Sequence, residues 1–110
     1  MKINAMLLLF IAIVFEVIGT TALKASNGFT KLVPVIGVIV GYGVSFLLFS
    51  VSLKGIPIGI AYAIWSGIGT AAIVLIGFWY FGENLNSIQI IAIIIIVIAT
   101  IVLNFNPHSL

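Results

Sequence analysis

Three short polar breaks cut this chain into four apolar stretches, each of roughly the 20 residues that a helix needs to cross a bilayer. That spacing constrains the fold more than any other feature. The breaks are Lys24-Ala-Ser-Asn-Gly-Phe-Thr-Lys31, Lys54-Gly-Ile-Pro57 and Gly82-Glu-Asn-Leu-Asn-Ser87. They predict helices over about 4–23, 33–53, 58–81 and 88–105. Pro34 falls in the first turn of the second, where proline is tolerated. The stretches are about twice as long as a barrel strand and show no polar alternation, so they read as helices rather than strands. Only 5% of the 110 residues are charged, against about 25% in a soluble domain. A chain of this kind cannot cover a water-facing surface with polar groups. The expectation is an all-α integral membrane protein, with residues 1–110 forming one transmembrane domain of four helices.

Composition excludes several functions. There is no Cys, so disulfides and thiolate metal sites are out. The net charge of +2 is too small for a nucleic-acid surface or a polybasic lipid-binding cluster. No glycine-rich loop with a following Lys is present to cradle a nucleotide phosphate. The single His108 sits on the tail and reads as a solvated residue, because a metal needs three or four ligands. Glu83 reads as a solvated interface charge in the third break. No cofactor and no enzymatic residue set is expected. Met1-Lys2 before an apolar run resembles a signal peptide, but that run is long and is interrupted by Glu16, so it reads as a retained first span.

The lysines are balanced. With four spans, Lys2 and Lys54 fall on one side of the membrane and Lys24 and Lys31 on the other. Two against two leaves the positive-inside rule without a preferred orientation. Such a chain can insert both ways and so form an antiparallel pair of identical copies; the alternative is that the terminal amine or another feature breaks the tie.

The chemistry concentrates on Glu16. It is the only charged residue between Lys2 and Lys24 and lies well inside the first span. A carboxylate there costs about 3 kcal/mol on insertion scales, which makes it a functional residue by default. The alternative is a protonated Glu that only pins a neighbouring helix. Spacings of three and four place Ala12, Glu16, Gly19 and Thr20 on one helical face. Tyr42 and Phe46 share a face of the second span, and Tyr62 and Trp65 share a face of the third. Trp65 is mid-span, away from the interfacial belt to which Trp79 belongs. Aromatic faces beside a carboxylate suit a lipophilic cation, although any one of these rings could be plain packing. Gly67 and Gly69 suggest either a hinge or a close helix approach. Ala92 and Ala99, seven apart, face the same way on the fourth span.

Ala12-Ile-Val-Phe-Glu16-Val-Ile-Gly-Thr-Thr-Ala-Leu-Lys24, Gly28-Phe-Thr-Lys31 and Ile56-Pro-Ile-Gly-Ile-Ala-Tyr-Ala-Ile-Trp-Ser-Gly-Ile-Gly69 together resemble the small multidrug resistance (SMR) transporters, in the EmrE-like, quaternary-ammonium-exporting branch. The likeness spans essentially the whole chain. It implies a four-helix subunit of the bacterial inner membrane, working as an antiparallel, dual-topology homodimer that exchanges protons for lipophilic cations. It assigns the shared acid to Glu16, the essential tryptophan to Trp65 and the site tyrosines to Tyr42 and Tyr62. Ala12, Ile13, Gly19, Thr20 and Phe46 would line the site, and Gly67 and Gly69 would form the hinge. The glycine pair that the family uses for dimer contact is Ala92 and Ala99 here, which still permits close approach. Gly19-Thr20 stands where the guanidinium-exporting branch tends to carry a Trp. Some relatives are obligate pairs of two different chains, against which the balanced lysines argue. The competing expectations are export of guanidinium or polyamines, and a proton-conducting or structural subunit without substrate.

Overall fold

A computed structural model of the chain describes residues 2–105, with side chains over 4–104. His108 lies outside the described residues. The four expected spans are four helices: α1 (Lys2–Ala25), α2 (Leu32–Ser52), α3 (Ile58–Trp79) and α4 (Ser87–Phe105). Each contains a stretch long and apolar enough to cross a membrane, and no strand occurs among the described residues. Internal contacts divide the chain into two compact units, Met1–Ile56 and Pro57–Leu110.

In the first unit α1 and α2 pack antiparallel, and their small residues set how closely. A Cβ at Gly41 would lie 2.8 Å from the Cα and N of Gly19 and 2.9 Å from the Phe15 carbonyl oxygen. The two backbones therefore touch at this point, as small residues allow in lipid-facing helix pairs. One turn away, a Cβ at Gly37 would meet the Ala22 Cβ at 3.1 Å. On the other side of the crossing the buried Ser45 hydroxyl donates to the Ala12 carbonyl oxygen at 2.7 Å. Leu9, Ala12, Ile13 and Val38 complete the buried stripe.

The link between these helices is a tight turn built on Ser26, which is fully buried. Its hydroxyl donates to the Leu23 carbonyl and accepts from the Phe29 N–H, while its carbonyl accepts from Thr30 and Lys31. Asn27, Gly28 and Phe29 follow one another at φ of 50°, 70° and 66°. Asn and Gly tolerate this left-handed region, whereas a bulky residue such as Phe29 does not adopt it freely. The Ser26 hydrogen bonds hold it there.

In the second unit Pro57 precedes α3 as its N-cap. The helix ends at Trp79, two residues before the apolar pattern does. Tyr80 still bonds to the Ile76 carbonyl, but Gly82 at φ 69° turns the chain back so that the Glu83 N–H reaches the Gly77 carbonyl at 2.9 Å. Glu83 is exposed, and its carboxylate folds over Gly77. Asn86 and Gln89 start α4 with a reciprocal capping box: the Asn86 side chain accepts from the Gln89 N–H at 2.8 Å, and the Gln89 side chain accepts from the Asn86 N–H at 3.0 Å. Gly67 of α3 is buried against Thr100 of α4, whose hydroxyl would collide with any Cβ there. Gly67 thus packs closely on Thr100, and α3 is helical through Gly67 and Gly69. Most of α4 remains exposed, including Ala92 and Ala99.

Candidate functional site

Glu16 is half-buried at the middle of α1, one turn from Ala12 and one from Thr20. Its carboxylate accepts a hydrogen bond of 2.6 Å from the Thr20 hydroxyl. The same hydroxyl lies 2.7 Å from the phenol oxygen of Tyr42 on α2. Both lengths are within the ordinary range for O–H···O hydrogen bonds. Three oxygens from two helices therefore form one continuous chain.

The crossing at Gly19 and Gly41 makes this reach possible. The Tyr42 ring packs against Gly19, where a Cβ would be 2.9 Å from its Cδ1 and 3.0 Å from its Cε1. Any larger residue at 19 would push the phenol away from Thr20. Phe46, one turn on, stacks on Tyr42 with ring centroids 5.8 Å apart and planes 1° from parallel. Ala12 and Ile13 are buried on the stripe below Glu16. The first unit thus brings together Glu16, Gly19, Thr20, Tyr42 and Phe46. It joins Ala12 to the same crossing through its carbonyl.

The second unit brings Tyr62 and Trp65 into edge-to-face contact, with centroids 5.6 Å apart and planes at 73°. Tyr62 is 57% exposed and Trp65 half-buried. Trp79 is 74% exposed at the end of α3, as befits a residue of the interfacial belt. No group of three or more His, Cys, Asp or Glu able to hold a metal occurs among the described residues.

Two residues of this site escaped the sequence reading. Gly41 sets the helix spacing, and Ser45 bonds the carbonyl one turn before Glu16. The signal was present as Gly37-x-x-x-Gly41-x-x-x-Ser45, a stripe of small residues at helical spacing.

The chain matches the family model described as Small Multidrug Resistance protein over residues 4–105. It is 49% identical to the quaternary ammonium compound-resistance protein QacE of Escherichia coli, over 89% of each chain. It is 45% identical to QacG of a Staphylococcus species, a protein with the same description, over 94% of this chain and 96% of that one. Identity is 43% to the multidrug resistance protein mmr of Mycobacterium leprae, over 91% and 94% respectively. A four-span chain with an acid inside its first helix, matched along nearly its whole length, belongs to the small multidrug resistance family: it is a multi-pass membrane transporter of the drug-efflux class, not an enzyme, and in bacteria its place is the inner membrane.

Proposed function

We propose that this protein is a proton-coupled antiporter that exports lipophilic, quaternary ammonium cations, with proton and cation competing for the Glu16 carboxylates of two chains. The observation that carries this reading is Glu16 itself: a carboxylate inside an apolar span, hydrogen-bonded to Thr20 and joined through it to the Tyr42 hydroxyl. The relatives named for quaternary ammonium resistance support the substrate class.

The ionised carboxylate is the counter-ion for the cation, and Tyr42, Tyr62 and Trp65 supply ring faces, which attract positive charge and tolerate varied shape. Ala12, Ile13, Gly19, Thr20 and Phe46 line the site. A proton on Glu16 removes the charge that holds the cation, so uptake of one expels the other. Bending of α3 about Gly67 and Gly69 exposes the site to one side and then the other. The working unit is an antiparallel homodimer, consistent with the balanced lysines and with the exposed face of α4 that carries Ala92 and Ala99. In such a pair the two chains exchange conformations, so the two open states are equivalent. Inward proton flow drives export.

The test is Glu16→Gln, which keeps the size and a hydrogen-bond acceptor for Thr20 but removes the charge. Binding of tetraphenylphosphonium should be lost while the dimer still assembles in detergent. Undiminished binding by this variant would refute the reading. Native protein that bound guanidinium in preference to tetraphenylphosphonium would move the substrate to the smaller cation.

A further inference from the structure

The chain of oxygens Glu16–Thr20–Tyr42 has a direction, because each hydroxyl owns a single proton. An ionised carboxylate only accepts. Thr20 must then donate to Glu16, as the 2.6 Å contact has it. The Thr20 oxygen is left to accept, so the Tyr42 phenol donates to it across 2.7 Å. The phenol proton is committed to Thr20, and its oxygen presents lone-pair density elsewhere. Protonation of Glu16 permits the opposite order. The carboxyl O–H donates to Thr20, Thr20 donates to Tyr42, and the phenol proton is released to point away from the pair.

We infer that Thr20 is a positioning residue that relays the protonation state of Glu16 to Tyr42, so that the phenol proton is held by Thr20 while Glu16 is ionised and is free to turn away once Glu16 is protonated. The inference rests on the reading that Glu16 changes protonation during transport. Its consequence bears on the kind of cation accepted. A quaternary cation has no N–H to donate and senses only the local potential. Protonation of Glu16 removes the counter-charge and also turns the phenol dipole against the cation. The two changes act in the same sense, which sharpens the exchange of cation for proton.

The surroundings favour this wiring. Among the described side chains of α1 and α2 the ionisable groups are Glu16, Lys24 and Tyr42. Lys24 is in the last turn of α1, about 12 Å along the axis from Glu16. Lys31 precedes α2, about 16 Å along that axis from Tyr42. The contact between Gly19 and Gly41 keeps the three oxygens in reach.

The experiment uses the full chain in lipid bicelles, with ¹³C at tyrosine Cζ and glutamate Cδ, in native, Thr20→Ser and Thr20→Val forms. Tyr42→Phe and Glu16→Gln assign the signals. Without cation, the Tyr42 Cζ signal should move with pH through the same midpoint as Glu16 Cδ in the native and Thr20→Ser proteins. In Thr20→Val the Glu16 signal should still titrate while Tyr42 stays flat. A Tyr42 signal that follows Glu16 equally in Thr20→Val would overturn the relay, since the field of the charge alone would then suffice. A flat Tyr42 signal in the native protein would overturn it without any variant. Added tetraphenylphosphonium should displace the native Glu16 titration. Failure of that arm alone would sink the transport reading and leave the relay standing.

Discussion

Alanine at Gly41 and alanine at Gly43 are chemically the same change, two residues apart on α2, with opposite expected outcomes. At Gly43 a Cβ meets nothing within 4 Å. At Gly41 it would lie 2.8 Å from backbone atoms of Gly19, which have no side-chain freedom with which to move aside. Carbon atoms pack at about 3.5 Å or more, so the helices must part by about 0.7 Å. The Thr20–Tyr42 distance of 2.7 Å would then open beyond hydrogen-bond range if α2 moves as a body. Overpacking of this kind costs about 1–3 kcal/mol, while the better helix propensity of alanine returns up to about 1 kcal/mol. Gly41→Ala should therefore lower the melting temperature in detergent and weaken tetraphenylphosphonium binding. Gly43→Ala should leave binding unchanged and hold or raise the melting temperature. Paired fluorescence melts and binding titrations decide the matter. Equal behaviour of the two variants would refute the claim that a backbone contact at Gly19 and Gly41 positions Tyr42.

Two further predictions concern the aromatics and the topology. Trp65→Ala should weaken binding of a lipophilic cation by about 1–2 kcal/mol if its ring faces a desolvated charge, and Trp79→Ala should do much less; equal losses measured by titration would make Trp65 ordinary packing. A tag on the C-terminal tail should be found on both sides of the membrane, and Asn84→Lys should bias the chain one way and impair transport; a single orientation in the active, unmodified protein would rule out the antiparallel homodimer.

The helices were legible in the sequence because the polar breaks are abrupt and the apolar stretches have bilayer length. The end of α3 was not, because Tyr80 and Phe81 continue the apolar pattern, while the stop comes from the left-handed Gly82 and the hydrogen bond from Glu83 back to Gly77. The pairing of Glu16 with Thr20 follows from a spacing of four on one helix. Its extension to Tyr42 could not be read, since it depends on the register of α2 against α1. That register is set where Gly19 meets Gly41 and where Ser45 bonds the Ala12 carbonyl. Gly67 was ambiguous in the sequence between hinge and packing. Its contact with Thr100 needs the pairing of α3 with α4, and helical spacing alone does not supply that.

Proton release on cation binding tests the central claim most directly. Isothermal titration of tetraphenylphosphonium into the native protein, in several buffers of different ionisation enthalpy, counts the protons released for each cation bound. If both occupy the same carboxylates, cation binding should release protons wherever Glu16 is protonated beforehand, and apparent affinity should fall as lower pH protonates Glu16. Glu16→Gln should abolish both signals, since Glu83, the other acidic residue of the chain, lies in a loop outside the spans. Cation binding that released no protons at any pH through the Glu16 titration, or a Glu16→Gln protein that still exchanged cation for protons, would contradict the account.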